Sequence, residues 1–126
     1  GKETLLTIII EKVNDLFYYY REQAALKARQ YQRALDDIVK AIELSPKDLT
    51  YRAEHAVVNL RVGRYEESMK ILNEILKDEP KYGEAYRLLG LCQIQLKKTD
   101  EACGNFNKAK ELGDPNVDEL IKKYCK

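Results

Sequence analysis

The sequence predicts an all-α fold of stacked antiparallel helix pairs, and three observations carry that expectation. Glycine and proline are scarce, 6 and 3 in 126 residues, too few for a loop-rich or all-β chain. Apolar residues such as Ala34, Leu35, Ile38, Ala41 and Ile42 recur at i+3 and i+4, so they form one stripe along a helix. The pattern also repeats every 34 residues. Tyr31, Tyr65 and Thr99 share a phase, as do Ala34, Ser68 and Ala102, then Ile38, Leu72 and Phe106, then Ala41, Ile75 and Ala109. Pro46 and Pro80 are one period apart, and the next step lands on Asp114, beside Pro115.

Taken in order, residues 4–12 have the character of a second helix whose end falls at Lys12, one period before Pro46. Residues 1–14 are therefore expected to be the end of a truncated preceding repeat, in a chain whose first residue, Gly1, points to cleavage from something longer. Three units follow, 15–48, 49–82 and 83–114. The middle unit sets the plan, with helices expected over Leu49–Val62 and Tyr65–Asp78. Gly63-Arg64 lies between them and Glu79-Pro80 closes the unit, because proline cannot continue a helix and biases its predecessor away from the α region. Connections this short force antiparallel neighbours. Residues 115–126 are expected to form a capping helix that starts at Pro115 and packs Val117, Leu120, Ile121 and Tyr124 on the stack.

Composition removes several function classes. Lys and Arg total 22 against 21 Asp and Glu, a net charge of +1, so there is no cationic excess to hold nucleic acid. At 44% hydrophobic the chain is too apolar to be disordered. The longest apolar run is Ile8-Ile9-Ile10, far short of a membrane span. No two of Cys92, Cys103 and Cys125 have metal-pair spacing, and His55 is the sole histidine, so no metal or cofactor is expected. His55 itself falls at a packing position. No nucleophile, base and orienting group occur together, and the protein is expected not to be an enzyme. Acidic pairs such as Asp36-Asp37 and Glu66-Glu67 fit helix starts and solvated faces.

These residues resemble the tetratricopeptide repeat, a 34-residue helix-turn-helix with a bulky aromatic, Leu-Gly, a small Ala, an aromatic, an Ala and a closing Pro. The third unit matches best, with Tyr86, Leu89-Gly90, Ala102, Phe106 and Ala109. The first has Tyr18, Ala34, Ile38, Ala41 and Pro46 but Arg21-Glu22 at the Leu-Gly pair. The second has Ser68, Leu72 and Pro80 but Arg52 at the aromatic and His55-Ala56 at the pair. The resemblance implies a right-handed superhelix whose first helices line a concave groove that holds a peptide or partner protein. Carried over by position, that groove takes Tyr19, Tyr20, Gln23 and Leu26 from the first unit. Ala53, Glu54, Val57, Leu60 and Arg61 come from the second, and Arg87, Leu88, Leu91 and Ile94 from the third. Some members of the family grip acidic chaperone tails with a basic clamp. Here Tyr19, Gln23, Glu54 and Glu84 stand where that clamp would begin, so a chaperone-tail receptor is not expected.

The tyrosines divide. Tyr18, Tyr31, Tyr65 and Tyr86 sit at packing phases, whereas Tyr19 and Tyr20 either meet a partner or pack on earlier repeats or on residues 5 to 10. An antiparallel helix pair brings the start of one helix near the end of the next, so Cys103 and Cys125 can meet. A disulfide needs Cα atoms within about 7 Å, and two reduced thiols are the alternative. The run from Ala102-Cys103 to Tyr124-Cys125 also resembles exported Bacteroidetes repeat proteins, which implies a bonded pair and an exported or periplasmic location. Cys92 is expected to be a buried hydrophobe. Finally, the apolar strip Leu5, Leu6, Ile8, Ile9 and Ile10 offers a surface through which two copies would pair as a homodimer, so a self-association module or a segment of a longer solenoid stands beside the binding reading.

Overall fold

The computed structural model describes all 126 residues, the side chain of residue 11 excepted. Among the described residues the regular structure is helical: α1 (Lys2–Lys27), α2 (Tyr31–Leu44), α3 (Leu49–Val62), α4 (Tyr65–Asp78), α5 (Gly83–Gln95), α6 (Thr99–Glu111) and α7 (Asp118–Tyr124). The helices expected over Leu49–Val62 and Tyr65–Asp78 occupy those ranges. The chain forms two compact units, Gly1–Val58 and Asn59–Lys126.

The turn inside each helix pair is built the same way, 34 residues apart. Arg29, Gly63 and Lys97 adopt positive φ, at 59°, 93° and 65°. The amides of Gln30, Arg64 and Lys98 each donate to the carbonyl five residues back, on Ala25, Asn59 and Gln93, at 2.8 Å. The amides of Arg29, Gly63 and Lys97 each donate to the carbonyl three residues back, at 3.1 Å. This pair of bonds closes the first helix by satisfying its last carbonyls, and it requires one left-handed residue. Glycine supplies that conformation freely at 63, while Arg29 and Lys97 bear a modest cost.

Two expectations are corrected. No helix ends at Lys12, because α1 runs unbroken for 26 residues. Nothing between Lys2 and Lys27 is Gly or Pro, so the chain has no reason to leave the helix there. The capping helix begins at Asp118 rather than Pro115. Asp114 Oδ1 accepts the Asn116 amide at 2.7 Å, which holds Pro115-Asn116 in a turn before the helix can start.

In the first unit α1 packs on α2; in the second, α5 packs between α4 and α6, and α7 lies on α6. The second unit ends in a core of Ala102, Phe106, Ala109 and Val117, covered by Tyr86, Leu91, Ile94, Leu120, Ile121, Tyr124 and Cys125. At Gly90 a Cβ would sit 2.3 Å from Phe106 Cε1, so the glycine exists to admit the ring. The same two phases fall on Glu22 and Ile38 in the first repeat and on Ala56 and Leu72 in the second, each of them fully buried. In the third repeat the missing Gly90 side chain makes room for the large Phe106 ring. Ala102 is also fully buried in this core. Ala102→Leu is expected to overpack it and lower the unfolding free energy by about 1–3 kcal/mol in urea denaturation. A neutral result would contradict this packing.

Candidate functional site

In the first unit, the α1 side chains that matter are fixed by buried acids. The Arg21 guanidinium donates two bonds to Asp37 on α2, at 2.8 and 2.6 Å, and stacks on the rings of Phe17 and Tyr18. This fork-on-carboxylate geometry pins the two helices together and uses up the cation. Asp15 is buried, accepts a hydrogen bond from Ser45 and lies 3.8 Å from Lys12 Nζ. Beside it, burial and the Asp15 and Asp48 carboxylates push the Tyr51 hydroxyl up to about 12, so it stays neutral. The Tyr51 ring supports Tyr19, with centroids 5.1 Å apart.

Glu22 is fully buried one turn from Tyr19. Removal from water is the main cause, and the nearby Glu54 carboxylate the second, that raises its carboxyl to about 9. It is thus a neutral acid at pH 7, able to donate its proton toward Glu54. Burial and the same Glu54 charge also raise the Tyr19 hydroxyl, which Gln23 hydrogen-bonds. The surroundings of Tyr19 are therefore acidic.

In the second unit Arg87 is committed in the same manner as Arg21, bonded to Asp114 at 3.1 Å and 3.8 Å from Glu84. It lines a shallow hollow of about 400 Å³ with Tyr82, Glu84 and Asn116. Asn105 Nδ2 donates to Gln93 Oε1 at 2.6 Å. Cys92 is a buried free thiol, raised by burial and hydrogen-bonded with Ser68. Cys103 and Cys125 form a disulfide, with Cα atoms 5.7 Å apart, and tie α6 to the residue after α7. Among the described residues no acid, His and Cys group is gathered to hold a metal, and no helix is long and apolar enough to cross a membrane.

The groove residues named from sequence do not share one environment. Leu26, Ala53 and Leu88 are buried, which corrects their assignment as contact residues: they sit in the core and offer no surface. Leu91 and Ile94 are half-buried because they cover the core under α7. Tyr19, Gln23, Glu54, Val57, Leu60 and Arg87 are half-exposed, and Tyr20 and Arg61 are exposed. Asp37, expected from sequence at a helix start or solvated face, is instead buried against Arg21, which corrects that reading, and the buried Asp15, Glu22 and Tyr51 were not singled out from sequence, where charge reads as surface. The one available signal was Glu22, which stands at the phase that holds Ala56 and Gly90.

Comparisons with known proteins agree with this architecture. The profile of the tetratricopeptide repeat family matches residues 25–88, just over half of the chain. The chain belongs to the tetratricopeptide repeat family. It is 30% identical over 99 residues to the small glutamine-rich tetratricopeptide repeat-containing protein 2 of Mycosarcoma maydis, covering 79% of this chain and 28% of that protein. It is 32% identical over 101 residues to heat shock protein STI1 of Saccharomyces cerevisiae, covering 77% of this chain and 17% of that protein. The chain thus spans less than a third of the length of these relatives. Among solved structures, the first TPR of Spaghetti (RPAP3), bound to the HSP90 peptide SRMEEVD, superposes with a TM-score of 0.75 at 21% identity, covering 88% of this chain and 87% of that one. That likeness establishes the shared fold.

Proposed function

We propose that the chain is a non-catalytic binding module that holds a peptide or partner protein against its first helices, through the repeats 15–48, 49–82 and 83–114. The observation that carries this reading is Tyr19, half-exposed yet fixed by Tyr51 beneath it and by Gln23 beside it. A large aromatic held in place offers contact area with little ordering cost on binding. Val57 and Leu60 add apolar, half-exposed surface on the next first helix. Membership of a family with a peptide-bound relative, Spaghetti, supports the same reading.

The charges favour a partner segment that is not acidic. Arg21 and Arg87 are both engaged by carboxylates, and Glu54 stands beside Tyr19. An acidic chaperone tail would meet like charge with no free clamp, which costs affinity. In calorimetry the peptide SRMEEVD is expected to bind no more tightly than its scrambled form, and micromolar sequence-dependent binding would overturn the charge argument. Selection from a random peptide-display library tests the module itself. The wild-type chain is expected to enrich a shared motif that Tyr19→Ala with Val57→Asp fails to retain. Enrichment that survives both substitutions would refute the site.

A further inference from the structure

The first half of α1 carries a second apolar surface that the binding reading does not use. Leu6, Ile10, Val13, Phe17 and Tyr20 are each more than half exposed. Their spacing is 4, 3, 4 and 3, the a/d pattern of a heptad, so all five lie within one narrow stripe of the helix. Of the buried residues of α1, Asp15, Glu22 and Leu26 fall about half a turn away round the axis at 100° per residue, and Ala25 about a quarter turn. The stripe therefore points away from the packed side of α1. Of the five residues expected to pair two copies, Leu6 and Ile10 are on the stripe, Leu5 and Ile9 flank it, and Ile8 is on the far side, where it is exposed to the same extent. Tyr20, which the resemblance assigns to the groove, ends the stripe one turn beyond Phe17.

We infer that this stripe is a homodimer interface, in which α1 of one copy packs along α1 of a second copy about a two-fold axis. A 3.5-residue repeat is the condition under which two helices keep a continuous seam, and a single stripe that meets itself is what an isologous contact needs. The area is adequate. At exposures of 52–62% the five residues, if wholly covered, present on the order of 600 Å² per copy, comparable with the lower edge of specific interfaces. The flanking charges argue against a lipid surface. Membrane-surface helices carry Lys and Arg along the polar face, whereas residues 2–20 hold only Lys2 and Lys12 as cations.

Sedimentation equilibrium on the whole chain tests the interface. The wild type is expected to show a mass twice its 14.6 kDa at tens of micromolar. Ile10→Asp with Phe17→Asp is expected to weaken self-association about 100-fold or more, with the helical circular dichroism of wild type, since both side chains are already exposed. Tyr19→Ala with Val57→Asp is expected to leave the dimer intact, which separates this interface from the peptide site. A wild type that stays monomeric at all concentrations, or aspartate variants that still dimerise, would overturn the inference. So would a monomeric chain that binds neutral or anionic vesicles through the same residues.

Discussion

Phe106→Ala is expected to cost about 3–5 kcal/mol of unfolding free energy, the range for deleting a fully buried aromatic ring. Phe106 is 0% exposed, and its fully buried neighbours are small. Ala102, Ala109 and Gly90 are too small to collapse into the space, and Val117 is held by the turn at Asp114. The companion change gives the sharper result. Gly90→Ala alone should gain up to about 1 kcal/mol of helix propensity, but its Cβ would meet the ring at 2.3 Å. It is therefore expected to be net destabilising by about 1–3 kcal/mol. In the Phe106→Ala background the collision is gone, and Gly90→Ala should become stabilising. Urea denaturation of the four proteins closes the double-mutant cycle. Additive effects would show that the two positions do not exchange volume.

The second large effect is a pH dependence. The Glu22 carboxyl is raised from 4.5 to about 9 in the folded chain, chiefly by burial. The native state thus keeps a proton that the unfolded chain releases above pH 4.5. Stability from this group is complete below the unfolded value and falls as pH rises, by up to about 1.4 kcal/mol per unit, until the folded value is passed. At pH 7 the accumulated loss is roughly 3 kcal/mol on the same constants. Glutamine has the same shape, is neutral at every pH, and can donate to Glu54 as the protonated acid does. Glu22→Gln should therefore match wild type near pH 4 and exceed it by roughly 3 kcal/mol at pH 7, with the gap still widening toward pH 8. The difference between the two stability curves reports Glu22 together with its neighbour Glu54, whose charge acts on it. Parallel curves from pH 4 to 9 would mean that Glu22 is ionised in the folded protein.

What the sequence made legible was periodic. Prolines 46 and 80, the small residues at 34, 68 and 102 and the large ones at 38, 72 and 106 each mark a geometric demand, so one chain sufficed to set the helices at Leu49–Val62 and Tyr65–Asp78. The long α1 was missed because a missing proline was read as a degenerate stop, although lysine is a good helix former. The contact surface was harder to read. Position within a repeat places a residue on a side of its helix, but exposure depends on what packs over that side. Leu88 and Leu26 are buried and Leu91 is partly covered for that reason. The buried acids were illegible because burial of charge depends on partners far apart in sequence, as Arg21 is from Asp37.

The fit of Phe106 into the space left at Gly90 has a consequence for how such a chain can be rearranged. Gly90 stands with Phe106, so α5 is keyed to α6, while the same phases carry Glu22 on α1 and Ile38 on α2. A crossover that joined α1 to α6 would drive a carboxyl against a phenyl ring, and one that joined α5 to α2 would leave a hollow. Recombination within a unit is thereby penalised, while transfer of an intact helix pair is not. The pair, cut at the ends of the 34-residue period, is the unit that can be duplicated, deleted or shuffled with its interior preserved.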